Sequence, residues 1–156
     1  MIKTNAMRFL DICQCPYDVL TYETPNGFTD VNEVAHKINQ PLEKVFKTLV
    51  TVGYSKKYYV FVVPAGFDLD LKKAARVCGE KSIDMLPMKQ LLGLTGYVHG
   101  GCSPIGMKKA FPVYIDSSAQ MQNKIFLSAG KIGLSIGIQP LRLADVIAAQ
   151  FADIKI

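Results

Sequence analysis

One glycine-rich stretch has the composition of a shaped binding loop. The glycine loop, residues 96–109, has the sequence Gly-Tyr-Val-His-Gly-Gly-Cys-Ser-Pro-Ile-Gly-Met-Lys-Lys. Glycine allows a backbone to approach a ligand closely, and Pro104 fixes one φ angle and removes one N–H donor. Such a run is unsuited to a helix and poor in a strand. Its amides would face a ligand, or it would only connect two strands; composition leaves both alternatives open.

A lysine within an apolar strand is the second candidate for chemistry. Residues 45–52 have the sequence Val-Phe-Lys-Thr-Leu-Val-Thr-Val, which favours a strand. Alternation places Lys47, Leu49 and Thr51 on one face and Phe46 and Thr48 on the other. A lysine there is costly unless its ammonium reaches water, an anion or a cavity. Lys47 is therefore either a strand lysine that extends to solvent or part of a site.

Common catalytic and metal-binding patterns do not fit this sequence. His99 and Ser103 lie close together, but Ser103 is not in a Gly-x-Ser-x-Gly turn. Cys102 lacks a recognisable histidine–carboxylate pair that would activate it as a nucleophile. The loop also lacks the Gly-Lys-Ser/Thr order of a phosphate-binding loop. Cys13-x-Cys15 is too tightly spaced for a usual zinc site, so we expect no metal and no organic cofactor.

Four motifs in order resemble the YbaK/EbsC family of aminoacyl-tRNA deacylases. They are the glycine loop, the Val45–Leu49 strand, Leu69-Asp70-Leu71-Lys72-Lys73, and Phe151-Ala152-Asp153-Ile154. The resemblance extends from about Phe9 to Ile154, nearly the whole chain. It implies hydrolysis of Cys-tRNA(Pro), a mischarging product of prolyl-tRNA synthetase. It also implies a mixed barrel-like sheet flanked by helices.

The resemblance assigns roles to particular residues. Cleavage of an ester needs a nucleophile and donors for the developing oxyanion. The candidate donors are the backbone amides of Gly100, Gly101 and Cys102, and Lys47 would anchor the substrate electrostatically. The family implies that the substrate's own thiol attacks its ester, since a cysteine thiol is already partly ionised at neutral pH. The substrate-binding residues would be Tyr22, Phe28, Thr48, Ser103 and Ser135, with Gly101 also near the cysteinyl group.

Ser135 departs from the family pattern. Members of the family often carry an aspartate in the strand that here is Gly133-Leu134-Ser135-Ile136-Gly137. A carboxylate would hold the substrate's α-ammonium by charge, whereas a serine offers a neutral hydrogen bond. Two alternatives therefore stay open: a deacylase for Ala- or Ser-charged tRNA, and a non-catalytic domain that binds aminoacyl-tRNA or another small ligand.

The elements that would position these residues indicate an α+β or mixed α/β fold. The chain has 156 residues, so we expect one domain over residues 1–156. Strands are predicted at 17–24, 45–52, 58–63, 82–86, 111–115, 124–128 and 134–138. Helices are predicted from Thr4 to Gln14, after Asp30, and over 69–78. A further helix runs from Pro87 and ends at Gly93, and a last one starts at Pro140 and carries Phe151.

Charge and hydropathy limit the partners and the compartment. The net charge is +5, from 18 basic and 13 acidic residues, which suits a phosphate-bearing partner without establishing one. Apolar runs are shorter than the ~20 residues that span a bilayer, and no signal peptide is recognisable. We therefore expect a cytoplasmic protein. The family resemblance implies tRNA(Pro) charged with cysteine as its substrate. The family implies prolyl-tRNA synthetase as partner, and a homodimer is compatible with the sequence.

Overall fold

Five α-helices and eight strands make up the part of the chain that the computed structural model describes, residues 3–27 and 29–156. The helices are α1 (Asn5–Ile12), α2 (Val31–Lys37), α3 (Leu71–Cys78), α4 (Leu91–Thr95) and α5 (Pro140–Val146). The strands are β1 (Asp18–Thr21), β2 (Phe46–Gly53), β3 (Tyr58–Pro64), β4 (Ile83–Met85), β5 (Val113–Asp116), β6 (Ile125–Lys131), β7 (Leu134–Ile138) and β8 (Gln150–Ala152). Short 3₁₀ helices cover Leu42–Lys44, Met88–Gln90 and Ser117–Met121.

The strands form two sheets. One is antiparallel, in the order β1-β7-β6, and the other is mixed, in the order β4-β2-β3-β5-β8. An isolated parallel bridge between Val45 and Phe126 connects them. The α+β class expected from the sequence is confirmed, with the mixed sheet divided into two parts that meet at this bridge.

The β2–β3 hairpin is the centre of the larger sheet. Its antiparallel register runs from the Phe46–Pro64 pair to the Val52–Tyr58 pair, as the β-branched and aromatic runs predict. The face that carries Phe46 and Val50 packs into the largest core cluster. The opposite face packs with α3 in a second cluster around Phe61 and Ala74. Both faces of the hairpin are therefore covered, and the polar residues that remain on it need a separate explanation.

Capping residues explain both ends of α3, and two predicted helix ends are wrong. Asp70 accepts hydrogen bonds from Lys72 and Lys73 at the start of α3, and Gly79 ends it in the left-handed conformation. The helix after Pro87 was expected to stop at Gly93, but α4 continues through Gly93 to Gly96, which has a φ of 86°. A glycine inside a helix is tolerated; the positive φ decides the end.

Phe151 was expected on the last helix, but it lies on β8. The helix α5 ends at Val146, and Ala148 has a φ of 54°, so the chain turns before Phe151. Residues 150–152 then pair in parallel with β5. The apolar side chain that resembles a continued helical stripe is instead a strand residue, because a turn resets the periodicity.

The third and fourth matched motifs lie against each other and have a structural role. The Asp70 N–H donates to the Ile154 carbonyl oxygen at 2.8 Å. The Lys73 ammonium lies 3.1 Å from both Asp153 carboxylate oxygens and 3.0 Å from the Lys155 carbonyl oxygen. These contacts tie the C-terminal segment to the start of α3.

Candidate functional site

A cavity of about 530 Å³ lies where the two sheets meet the glycine loop. Its walls come from the end of β1, the start of α2, β2, the segment from β4 to α4, the glycine loop, β6 and β7. The lining residues are Tyr22, Thr29, Asp30, Val31, Val34, 45–50, Met85, Leu86, Met88, Leu91, His99, Gly100, Cys102, Leu127, Ser128 and Ser135. Most of these side chains are apolar, so the few polar groups would fix the orientation of a ligand.

Lys47 lies at the side of this cavity and keeps an incompletely paired ammonium. Its Nζ is 3.7 Å from the Asp68 carboxylate, beyond hydrogen-bond distance, and the Asp68 side chain is 88% exposed. An ion pair with so exposed a partner contributes ~1 kcal/mol or less to stability. The Lys47 side chain itself is 25% exposed. Its position in the strand is therefore not explained by a strong structural ion pair.

Beside Lys47, the outer edge of β2 is open to the cavity. The strand β4 pairs only with residues 51–53 of β2, and the Leu86 N–H then donates to the Val50 carbonyl oxygen. In an antiparallel ladder, residues two apart direct their backbone groups to the same edge. The N–H and C=O of Thr48 therefore point to the edge that Val50 uses, at a position that lacks a strand partner among the described residues.

Thr48 adds a buried side-chain hydroxyl to this edge. Its Oγ1 is inaccessible to solvent and has no hydrogen-bond partner within residues 3–27 and 29–156. A buried hydroxyl without a partner costs ~1–3 kcal/mol. Such a group in the wall of a cavity is what a site for a polar ligand requires.

The opposite wall carries two serines on paired strands. Ser128 of β6 and Ser135 of β7 are cross-strand partners, and both line the cavity. Ser135 is 3% exposed, and the Ser128 hydroxyl accepts from the Gly130 N–H at 3.1 Å. At Ser135 the wall therefore offers a neutral hydroxyl and not the carboxylate of the family pattern.

The glycine loop is held by its own hydrogen bonds. The Lys108 N–H donates to the Thr95 carbonyl oxygen at 3.0 Å, which closes the loop. The buried Tyr97 hydroxyl donates to the Ile105 carbonyl oxygen at 2.6 Å, and the Thr95 hydroxyl accepts from the Tyr97 N–H at 3.0 Å. Of the three candidate oxyanion donors, this rigid loop places Gly100 and Cys102 in the cavity wall.

Gly101 and Ser103 are turned away from the cavity lining. The Gly101 N–H donates to the Val98 carbonyl oxygen at 3.0 Å within a turn. A Cβ on Gly101 would lie 2.9 Å from the Ile132 backbone nitrogen, so this glycine packs against the β6–β7 turn. Ser103 is fully buried, and its hydroxyl accepts from the Ile105 N–H at 3.2 Å. Both residues shape the loop in this structure.

Cys102 is a buried, protonated thiol. Burial raises its pKa to about 12, and a hydrogen bond with the Thr95 side chain only partly opposes that effect. The thiolate is the reactive form of cysteine. Cys102 therefore lines the cavity as a small apolar group at neutral pH, and its lack of a nucleophilic role stays a prediction.

The family model named “Aminoacyl-tRNA editing domain” matches residues 25–146 of this sequence. The chain belongs to the aminoacyl-tRNA editing domain family. The match spans α2 to α5 and includes the cavity walls built from β2, the glycine loop, β6 and β7. The editing-family resemblance seen in the sequence motifs is therefore confirmed.

Two curated relatives resemble this chain, one over nearly its whole length and the other over a small part of a longer protein. It is 41% identical over 152 residues to “Putative Cys-tRNA(Pro)/Cys-tRNA(Cys) deacylase EbsC” of Enterococcus faecalis, a match that covers 97% of this chain and 93% of that protein. It is 31% identical over 86 residues to a proline–tRNA ligase of Thermosipho africanus, covering 55% of this chain but 15% of the ligase.

A solved structure shows the same fold. A protein described as “a putative trans-editing enzyme for prolyl tRNA synthetase” superposes with a TM-score of 0.84 and 24% identity, covering 100% of this chain and 99% of that chain. At this identity the likeness concerns the fold. It supports the arrangement of two sheets and five helices described above.

The structure brings most of the predicted site residues of the editing domain together. Tyr22, Lys47, Thr48, Gly100, Cys102 and Ser135 all line the cavity, whereas Gly101 and Ser103 do not. Phe28 lies outside the described residues. His99, expected to be non-catalytic, also lines the cavity. Sequence reasoning missed Asp68, Met85 and Met88, because their proximity to the cavity depends on chain connections that carry no motif.

Two further kinds of feature are absent from the described part of the chain. Residues 3–27 and 29–156 contain no group of three or more His, Cys, Asp or Glu side chains that could hold a metal ion. No helix in that part is long and apolar enough to cross a membrane.

Proposed function

We propose that this editing domain hydrolyses mischarged Cys-tRNA(Pro). The observation that carries the proposal is the combination of an apolar cavity with the open β2 edge and the unpartnered hydroxyl of Thr48. A small aminoacyl group fits such a cavity, and its α-ammonium can donate to the Thr48 carbonyl and hydroxyl oxygens. The name of the Enterococcus faecalis relative supports cysteine as that aminoacyl group.

Lys47, Gly100 and Cys102 would act at the ester. The Lys47 ammonium would supply positive charge at the side of the cavity. Gly100 and Cys102 line the wall, and their backbone amides would be the donors for a developing oxyanion. Preorganised donors of this kind stabilise the transition state because they need no reorganisation during reaction. Tyr22, Ser128 and Ser135 would complete the pocket around the cysteinyl group.

The nucleophile in this proposal is the substrate's own sulfur. The cysteinyl thiol loses its proton to solvent, and the sulfur forms a bond to the ester carbonyl carbon. The bond from that carbon to the ribose oxygen then breaks, and the ribose oxygen takes a proton from water. The product is a cysteine thiolactone, which water opens to free cysteine. The neutral Cys102 thiol supports this route, because its buried sulfur is not poised to attack.

The protein's contribution would be mainly positional. The four-membered ring closure requires the sulfur to fold back onto its own carbonyl, and a pocket that fixes this pose removes much of the entropic barrier. Such orientation contributes several kcal/mol to a barrier. A cavity that places the Lys47 ammonium beside mostly apolar walls is suited to that task.

Selection of the tRNA would come from a partner. The cavity contacts one small amino acid and has little with which to distinguish tRNA(Pro) from other tRNAs. We propose prolyl-tRNA synthetase as this partner, supported by the embedded match in the Thermosipho africanus ligase. In this proposal residues 1–156 act as one cytoplasmic domain without a cofactor, alone or as a homodimer.

Deacylation of Cys-, Ala- and Ser-charged tRNA(Pro) by the purified protein tests the substrate assignment. We expect rapid release of cysteine and much slower release of alanine and serine. Faster release of alanine or serine would replace the assigned substrate. Binding of all three without release would instead show a non-catalytic domain.

A further inference from the structure

A second concavity of about 280 Å³ adjoins the cavity. Lys47, Asp30 and Val31 line both, so they form the wall between the two spaces. The other side of the second concavity carries Phe67 and Asp68, from the turn that follows β3. Lys47 therefore stands at the junction of an apolar pocket and a more open, polar one.

The substrate of the proposed reaction also contains a terminal nucleoside, which must bind outside the first cavity. The aminoacyl group occupies the cavity, and the ester beside Lys47 joins it directly to the terminal ribose. The nucleoside must therefore lie within a few bond lengths of Lys47. The second concavity begins at that residue, which makes it a direct continuation of the path of the substrate.

Phe67 and its neighbours have the chemistry that a nucleoside needs. The Phe67 side chain is 40% exposed, and the Lys155 ammonium lies 4.5 Å from its ring centroid. Exposed aromatic rings combined with cations are the recurring means by which proteins hold single-stranded nucleic acid. The Asp68 carboxylate, 88% exposed, is an acceptor for ribose hydroxyl groups.

The charges around the second concavity also favour a nucleoside with a flanking phosphate. Lys47 lies 3.7 Å from the Asp68 carboxylate and offsets its repulsion of a phosphate. The Asp30 carboxylate accepts the Glu33 N–H at 2.9 Å as the cap of α2, so it is already engaged. Lys155 supplies a further positive charge over one face of the Phe67 ring. A neutral base and ribose with a flanking phosphate suit this arrangement.

We propose that the second concavity binds the 3′-terminal nucleoside of the tRNA. The base stacks on Phe67, a ribose hydroxyl donates to Asp68, and the adjoining phosphate lies beside Lys155. The inference rests on the proposed function, since it assumes that the aminoacyl end enters the first cavity. The alternative exit passes the exposed Met85 and Met88, whose side chains offer apolar cover and no aromatic ring.

Kinetics on two substrates separate this inference from the proposed function. We compare Phe67→Leu with Phe67→Tyr on Cys-tRNA(Pro) and on cysteine ethyl ester, which lacks the nucleoside. Phe67→Leu should lower kcat/KM on the tRNA by about tenfold, the scale of one lost base stack. Phe67→Tyr should keep it, and both variants should match the wild type on the ethyl ester. Equal loss on both substrates, or no loss on the tRNA, would overturn the inference.

Tyr54 provides a matched control. It is a more exposed aromatic residue, at 64%, and the Lys81 ammonium lies 4.9 Å from its ring centroid. It follows β2 at the end away from Lys47, about 20 Å off at ~3.3 Å per residue. Tyr54→Leu should leave both activities unchanged. If Met88→Ala impairs the tRNA reaction while Phe67→Leu does not, the nucleoside leaves over the methionine rim and the inference is wrong.

A binding measurement tests the site without catalysis. The trinucleotide CCA, the common 3′ end of tRNAs, is titrated into the ¹⁵N-labelled protein. We expect chemical-shift changes at residues 66–68 and at Asn32, which are lost in Phe67→Leu and weakened with the deoxy trinucleotide. Shifts confined to residues 85–92, or none at concentrations that saturate the wild-type reaction, would refute the site. Shifts at 66–68 in a protein that cleaves nothing would instead refute only the proposed function.

Discussion

Two lysines of this chain show how differently the cavity and the C-terminal side are built. Lys73 has three oxygen acceptors within 3.1 Å, supplied by Asp153 and Lys155. Lys47 has one exposed carboxylate at 3.7 Å. The lysine that holds the fold together is therefore fully paired, whereas the lysine that lines the cavity has no hydrogen-bonded partner among the described residues.

The buried oxygen atoms repeat this contrast. Asp116 is 1% exposed, and its carboxylate accepts from the backbone N–H groups of Ser118, Ile154 and Lys155 at 3.1 to 3.2 Å. Thr48 Oγ1 is buried without a partner among the described residues. Native proteins rarely leave buried polar groups unsatisfied. Thr48 therefore differs from Asp116 in lacking a partner, and it lies in the cavity wall, where a ligand can supply one. Ser118 Oγ, outside the cavity, is also buried without a partner among the described residues.

Removing each lysine ammonium should produce opposite results. Lys47→Met should lower kcat/KM on Cys-tRNA(Pro) at least about 100-fold, because it removes charge at the ester, while stability stays nearly unchanged. Lys73→Met should leave the turnover of the folded protein intact and lower the free energy of unfolding by about 1 kcal/mol. Urea denaturation and single-turnover kinetics measure both. A well-folded Lys47→Met protein with normal turnover would remove Lys47 from the site.

Gly101→Val should impair both functions of the loop. Its new Cβ would meet the backbone of Lys131 and Ile132, which cannot yield as a flexible side chain can, at an expected cost of about 2 kcal/mol. The displaced loop would carry Gly100 and Cys102 out of position, so activity should fall even in the folded fraction. Thermal melts and kinetics below the melting temperature separate the two losses. Full activity would show that the loop only connects α4 to β5.

Much of this arrangement can be predicted from local sequence. The β2–β3 hairpin, the Asp70 and Gly79 caps of α3, and the position of Lys47 follow from strand periodicity and capping chemistry. The roles of Gly101 and Ser103 do not, because loop motifs specify backbone shape without stating which groups face the ligand. The open edge at Thr48 is equally inaccessible, since it depends on where β4 stops pairing, a non-local event. Phe151 was misassigned because one turn residue, Ala148, interrupts its apparent period.

Two threonines on the same strand provide a smaller test. Thr51 is fully buried and donates to the Tyr59 carbonyl oxygen at 2.9 Å, whereas Thr48 Oγ1 is unpartnered. Thr51→Val should destabilise the protein by about 1 kcal/mol without changing kcat/KM. Thr48→Val should leave stability equal or higher and reduce kcat/KM about tenfold, and Thr48→Ser should restore the activity. If Thr48→Val lowers the free energy of unfolding and keeps activity, the Thr48 hydroxyl has a structural role like that of Thr51.

Cys102 should give the smallest change. Cys102→Ser should retain activity, because the nucleophile is assigned to the substrate. Burial raises the thiol pKa from its ordinary value of 9.0 to about 12, so the thiol stays protonated below pH 9. Iodoacetamide at pH 8 should therefore modify the exposed Cys13 well before Cys102, as mass spectrometry can measure.

The raised pKa of Cys102 also predicts a pH dependence of stability. Since the raised pKa favours the protonated folded state, this contribution to stability should be lost as the pH rises from about 9 to about 12.

The substrate-thiol mechanism is tested most directly by changing one atom of the substrate. Serine replaces the sulfur with a hydroxyl oxygen that is scarcely ionised near neutral pH, and pocket binding alone separates such similar side chains only ~10–200-fold. We therefore compare deacylation of Cys-, Ser- and S-methyl-Cys-tRNA(Pro) by the same protein, with trapping of thiolactone. We expect thiolactone from Cys-tRNA(Pro), a far larger preference for cysteine over serine than binding alone gives, and no cleavage of the S-methylated ester. Comparable cleavage of the S-methylated substrate would contradict it and assign the attack to an activated water.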